Sequence, residues 1–406
     1  MTLIIAGLLL LSIATCIGLG SGASDPNDVA ALRSLMSQLQ NPPQTWGKSD
    51  DPCGTPWEGV MCSESRVTML KLSTMGLKGT LSTDIAQITQ LHSLDLSYND
   101  LSGTLTPNIG NLKQLSVLIL TGCKFSGNIP QELGNLSQLL FLDLSLNQFT
   151  GTIPASLGGL SNLYWLDLAK NKLTGSLPVS TRDTPGLDLL KVEQCNLQKN
   201  QLSGVIPESL FSSGMKLSRL HLNGNNFTGS IPASIGLVRS LEILYLGGND
   251  LSGSLPFSIN NLTNLNELNL ANNKLTGPLP NLAQMSSLHT VDLSNNSFDA
   301  SEAPSWFSTL QSLTTLKIES GGLYGQIPSQ MFGLPAIQQV VLKNNAFNGT
   351  LSMGNNINQG LMVVDLQNNS ISSLKLTASY KHTLILFGNP VCNAVRNSNA
   401  DFCLEL

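Results

Sequence analysis

Apolar residues in this chain recur neither with the 3.6-residue period of a helix nor with the alternation of a long strand, but as a phrase. The spelling L-x-x-L-x-L-x-x-N-x-L-x-G begins at Leu91 and again at Leu115, 24 residues on. The piece L-x-x-L-x-L predicts a short strand whose side chains alternate inward and outward, with inward pairs such as Leu142 with Leu144 and Leu268 with Leu270. The chain must then turn back with its amides buried, and an inward asparagine has the donors and acceptor to bond the backbone of its own and the neighbouring turn. A second phrase, G-x-I/L-P, follows, as in FTGSIP from Phe227 and LSGSLP from Leu251. Glycine permits a turn there and proline ends ladder pairing, so a short extended segment is expected on a second side of each coil.

About 13 such units fill residues 67–380, with the asparagine position running from Asn99 to Asn369 and Met75, Cys123 and Gly321 substituting for it. The step between asparagines is 23 to 25 residues except from Asn171 to Asn200, where it is 29 because VSTRDTPGLDLL is inserted. Strand spelling resumes at Val192, Cys195 and Leu197. This is the leucine-rich repeat, and it predicts an α/β solenoid with a concave parallel β-sheet, a single body because each unit packs on its neighbours.

The ends of such an array need covers. Residues 24–66 are expected to form an N-terminal cap. Asp25 is placed as N-cap, Pro26 at the first helical position and Asp28 in the first turn; Val29, Leu32, Leu35 and Leu39 lie on one face, and Asn41-Pro42-Pro43 stops the helix. Residues 381–406 are expected to hold a last partial repeat and a C-terminal cap. Residues 1–23 read as a secretory signal peptide, an apolar run followed by small residues, with Ser21 and Ala23 suited to cleavage before Ser24. An uncleaved N-terminal anchor is the alternative. No later stretch is apolar over a spanning length, so no membrane helix is expected in the rest of the chain.

Charged residues make up only 12% of the chain and the net charge is −5, which argues against nucleic-acid or anionic-membrane partners. Cysteine usage agrees with export. Cys53 with Cys62 and Cys392 with Cys403 are close pairs at the two ends of the array, read as local disulfides of an oxidising compartment. Cys123 and Cys195 lie three repeats apart, too far to bridge at about 5 Å per strand, and are expected as buried thiols rather than redox groups. N-x-S/T sequons at Asn135, Asn226, Asn261, Asn295, Asn348 and Asn368 predict a glycoprotein.

Candidate chemistry belongs to the outward strand positions. Aspartates of the L-D-L phrase, Asp95, Asp143, Asp167 and Asp292, read as solvated surface. Phe141, Trp165, Arg219, His221 and Tyr245 are less expected there, and exposed aromatics with an arginine are the usual composition of a binding hot spot. They are the candidate ligand-binding residues. His92, His221, His289 and His382 are scattered without metal-ligand spacing, so no metal site and no cofactor is expected. Asp143 beside Asp167 has the separation of a glycosidase pair, but L-D-L produces such pairs throughout, and no catalytic residue is assigned.

The G-x-I/L-P phrase, the cap phrase DPC…WEGVMC from Asp51 to Cys62 and the end phrase GNPVC from Gly388 to Cys392 resemble the ectodomain of plant leucine-rich-repeat receptor-like kinases over the whole mature chain. TRDTPGLDLL and DLSNNSFDASEAPSWF look closest to the group that includes an extracellular hydrogen-peroxide receptor kinase. The resemblance implies a plant-type superhelix with disulfide-stapled caps. It also implies perception of a peptide or protein ligand, a co-receptor repeat kinase as further partner, and a location in the apoplast or, for a longer product with a membrane helix, at the plasma membrane. No H-R-D loop or glycine-rich nucleotide loop is present, so the chain is expected not to be an enzyme; a kinase would require a product continuing past Leu406. A secreted repeat protein that inhibits microbial cell-wall-degrading enzymes, or a decoy receptor, is the competing expectation.

Overall fold

The computed structural model describes residues 23–376, 383–394 and 401–404. All of the expected leader except Ala23 lies outside them, as does His382. The chain divides into two units, Met1–Lys172 with Thr184–Gly186, and Leu173–Asp183 with Leu187–Leu406. The division falls on the inserted segment.

The first unit opens with the helix Pro26–Gln38, whose N-cap Asp25 accepts hydrogen bonds from the amides of Asn27 and Asp28. Leu32 and Leu35 are buried as expected. Asp28 stands in the first turn as expected. It is fully buried, takes the Nε and a terminal nitrogen of Arg66 at 3.0 Å each, and accepts the Val67 amide at 2.9 Å. A carboxylate can be buried at tolerable cost only with such a set of donors. Trp46 and Trp57 pack at 5.3 Å, a disulfide joins Cys53 to Cys62, and Val60–Ser63 pairs antiparallel with Arg66–Lys71. That second strand also starts the parallel sheet, pairing with Ser93–Asp95.

Val117–Ile119, Phe141–Asp143 and Trp165–Asp167 continue the sheet in register. Between strands the asparagine ladder forms as the phrase predicts. Asn147 donates to the carbonyls of Leu120 at 2.7 Å, Leu144 at 3.1 Å and Ser145 at 3.0 Å, and its Oδ1 accepts the Phe125 amide at 3.0 Å. On the second side, Lys78–Thr80, Asp100–Thr104, Lys124–Asn128 and Gln148–Thr150 pair as short parallel strands. The prolines of I-P do more than end these strands: Pro130 and Pro154 stand as N-caps of the 3-10 turns Gln131–Asn135 and Ala155–Gly159.

In the second unit the sheet runs from Gln194–Asn196 through Arg219–His221, Ile243–Tyr245 and Glu267–Asn269 to Thr383–Ile385, each strand parallel to the next. The insertion packs by its own bonds. Leu187 N–H donates to Pro178 O at 2.9 Å, and Asp188 accepts the Ser180 amide at 2.6 Å. The ladder extends one rung beyond the expected asparagines. Asn389 donates to Leu366 O and Leu386 O and accepts from the Ile371 amide. The Cys392–Cys403 disulfide follows it. The fold is thus a leucine-rich-repeat solenoid with parallel sheets and a disulfide at each end.

Candidate functional site

Most repeat strands are three residues long, with the centre buried and the two flanks half-buried on the outward face, as in Phe141-Leu142-Asp143 and Arg219-Leu220-His221. The first flank column of the first unit holds Val117, Phe141 and Trp165 as successive register partners. Phe141 and Trp165 stack with centroids 5.1 Å apart and planes 19° from parallel. Their faces therefore meet each other, and their edges are what the patch presents. Trp165 Nε1 is buried without a hydrogen-bond partner. Ile119 and Tyr164 are half-buried nearby in sequence register and Leu140 is exposed, so the patch in this unit is apolar.

The other candidates belong to the second unit. Arg219 and Ile243 are register partners, as are His221 and Tyr245. The His221 and Tyr245 rings meet edge to face at 4.8 Å and 73°. Tyr245 donates its hydroxyl to Glu267 on the next strand. Burial first, and then that bond to a carboxylate, holds the Tyr245 phenol far above its ordinary range. Burial also pushes the His221 imidazole down; Arg219 adds to this and Glu267 opposes it. Arg219 Nε is buried without a hydrogen-bond partner. The five candidates are thus distributed as a stacked pair in one unit and a histidine–tyrosine–arginine group in the other.

The aspartates of L-D-L depart from the expectation of solvated surface. Oδ1 of Asp95 accepts both the amide and the hydroxyl of Ser97, and Oδ1 of Asp143 does the same with Ser145. Asp167 accepts the Ala169 amide at 2.9 Å, Asp292 that of Ser294 at 3.1 Å, and Asn269 fills the same role for Ala271. These side chains close the turn after the strand. Burial raises Asp143 above its ordinary value, against the lowering effect of Ser145. The carboxylates of Asp143 and Asp167 are thereby engaged in scaffold bonds.

Both internal thiols are buried and belong to neither disulfide. Cys123 donates to Leu96 O at 3.3 Å from the asparagine position, and burial raises its pKa, the opposite of an activated thiolate. Cys195 lines an apolar cavity of about 30 Å³ with Leu220 and Met215. All six sequon asparagines are exposed. Asn135 and Asn261 end 3-10 turns, Asn226 and Asn348 lie in the second-side strands, and Asn295 and Asn368 hold φ of 54° and 52° in the turn after a sheet strand. Sequence reading missed that Asn295 and Asn368 belong to an exposed rank of asparagines. Asn295 Nδ2 donates to Asn272 Oδ1 at 3.0 Å and Asn368 Nδ2 to Asn344 Oδ1 at 2.8 Å. The doublets Asn272-Asn273, Asn295-Asn296, Asn344-Asn345 and Asn368-Asn369 carried that signal, since the position before each rung is left-handed and asparagine tolerates it. No group of three or more potential metal ligands occurs among the described residues.

Comparison with known proteins agrees with this architecture. The leucine rich repeat N-terminal domain matches residues 25–63, and the leucine rich repeat matches seven segments from 90–112 to 287–310. A probable leucine-rich repeat receptor-like protein kinase of Arabidopsis thaliana is 53% identical over 384 residues, which is 94% of this chain and 40% of that protein. The chain therefore spans less than half the length of this curated relative. Among solved structures, a TDR receptor matches with TM-score 0.69 and 29% identity, covering 79% of this chain and 55% of that one. The plant peptide hormone receptor RGFR1 in complex with RGF2 matches with TM-score 0.67 and 28% identity over 84% and 59% of the respective chains. Cap, repeats, G-x-I/L-P phrase and similarity over 94% of this chain converge: the chain is homologous to the N-terminal cap and repeat region of plant leucine-rich-repeat receptor-like kinases.

Proposed function

We propose that this chain is the extracellular ligand-recognition region of a plant receptor-like kinase, and that the outward sheet residues Phe141, Trp165, Arg219, His221 and Tyr245 contact a peptide or protein ligand. The observation that carries the reading is the composition of the outward positions within each unit. Leucine and asparagine satisfy the scaffold, yet two stacked aromatics and an arginine with a buried, unpartnered Nε stand at positions the scaffold does not require. Aromatic and arginine side chains are the groups that most often dominate protein recognition. The RGFR1 structure, a peptide hormone receptor with RGF2, supports a peptide as the ligand class. The reading includes a secretory route with the mature chain outside the cell or at its surface, residues 24–66 as cap, 67–380 as repeats and 381–406 as closing cap, glycans on the exposed sequons, and a co-receptor repeat kinase as further partner. Affiliation with the hydrogen-peroxide receptor group rests on TRDTPGLDLL and DLSNNSFDASEAPSWF.

Panning a random heptapeptide library on the purified ectodomain and on its Trp165→Ala/Arg219→Ala/Tyr245→Ala variant tests the assignment. A consensus enriched on the parent and lost on the folded variant is expected. Recovery of the same consensus from both would remove these residues from the binding face.

A further inference from the structure

The residue that follows the expected leader is not a loose end. Ser24 is 7% exposed, although Ala23 before it is open to solvent. Its backbone N–H donates to Oδ1 of Asp51 at 3.1 Å, its hydroxyl donates to the same oxygen, and its Oγ accepts the Cys53 amide at 2.9 Å. Asp51 Oδ1 also takes the Gly54 amide at 3.0 Å. This carboxylate sits two residues from the Cys53–Cys62 disulfide, so its position is fixed by the cap. Yet among the described residues no lysine or arginine forms an ion pair with Asp51, whereas Asp28 in the same cap has Arg66. Asp51 is held below the ordinary carboxylate range, chiefly by the Ser24 hydroxyl, so it is charged and set to receive a cation.

We propose that Asp51 is the socket for the mature N-terminus: a leader-removing peptidase hydrolyses the Ala23–Ser24 bond, and the Ser24 α-ammonium so formed pairs with Asp51. Water supplies a hydroxyl to the Ala23 carbonyl carbon, which leaves as a carboxylate, and the Ser24 nitrogen gains protons to become an ammonium. That nitrogen already lies at hydrogen-bonding distance, so processing turns a neutral amide donor into a charge-assisted one without moving the chain. Ser21 and Ala23 are the small residues such an enzyme reads. Because Ser24 is buried once the cap forms, the cut precedes folding, and the socket then shields the new terminus from aminopeptidases.

The inference rests on the secretory reading above, and the experiment separates the two. The chain is expressed with its own leader in plant cells, and its N-terminus is read by mass spectrometry. An unblocked Ser24 is expected. A secreted chain beginning at any other residue overturns the socket alone; a membrane-bound chain retaining residues 1–23 overturns the secretory reading with it. Reductive methylation of the purified chain with ¹³C-formaldehyde then reports the Ser24 amine by NMR. Its titration midpoint should lie about one pH unit above that of the Asp51→Asn variant, as for an amine next to a carboxylate. A second comparison keeps Asp51 intact: a chain beginning at Gly22 should carry an amine titrating at about 7.7–8.0. Equal midpoints for the Ser24 and Gly22 termini would refute the pairing.

Discussion

Replacing Asn147 with alanine removes one rung of the buried ladder, and the structure shows how much is lost. Of the four bonds made by the Asn147 amide, two are backed up. Leu144 O keeps the Asn171 Nδ2 at 3.0 Å and Ser145 O keeps the Gly122 amide at 3.1 Å. The Leu120 carbonyl and the Phe125 amide lose the side chain that bonds them at 2.7 and 3.0 Å. Two buried groups left unpaired at roughly 1–3 kcal/mol each give about 4 kcal/mol. The damage is local, since a solenoid unit packs only on its neighbours. Hydrogen exchange therefore reads it better than a global melting curve. The Phe125 amide should exchange at least about a hundredfold faster in Asn147→Ala, as each tenfold corresponds to about 1.4 kcal/mol. Asn147→Cys should be milder, because Cys123 already occupies a rung and reaches Leu96 O. Exchange at Phe125 that is unchanged in the alanine variant would refute the ladder as the device that closes these turns.

Asp143→Asn should keep its turn, since Asn269 does the same work in its own repeat. Burial holds the Asp143 pKa above 3.8, so its favourable contribution is full below 3.8 and is lost as pH rises through the folded value. The variant should therefore have the higher urea midpoint at pH 7, with the gain gone at pH 3.5; a lower midpoint at pH 7 would contradict this. For His221 the folded pKa lies below 6.5, so its contribution is present above 6.5 and is lost as pH falls through the folded value. His221→Gln should flatten the fall in unfolding midpoint between pH 7.5 and 5, and a fall equal to the parent's would argue against it. At Gly79, φ is +121° and an added Cβ would lie 2.0 Å from Gln38 O. Gly79→Ala should destabilise the cap by about 2 kcal/mol or more, a typical cost of forced overpacking, and thermal unfolding of the purified chain would show it.

The scaffold was legible because its physics repeats. A strand phrase, an inward amide and a turn glycine recur often enough that Met75, Cys123 and Gly321 stand out as substitutions rather than breaks. Single-copy features were harder to read. Asp28 was legible only as a first-turn residue, and it is the fold that brings Arg66 from 38 residues away to bury it. Asn389 escaped because its repeat is truncated, so no downstream leucines frame it. For the candidate site, which residues point outward followed from strand alternation, but what they do for one another did not. Phe141 meets Trp165 because parallel register sets them side by side, whereas the duty of Asp143 to its own turn leaves no trace in L-D-L beyond the following serine.

That turn duty limits how such a protein can diversify. The second outward column is occupied again and again by a residue whose Oδ1 is committed to the amide two positions on, at Asp95, Asp143, Asp167, Asn269, Asp292 and Asp365. Exchanging such a residue for an apolar one sacrifices the turn as well as the charge, so repeats can vary there only by adopting another way to close. The first column has no such obligation. Val117, Phe141, Trp165, Arg219, Ile243 and Glu267 are among its members, and they have no shared chemistry. New binding preferences can therefore be written into that column one residue at a time, with the stability of the coil largely insulated from the change.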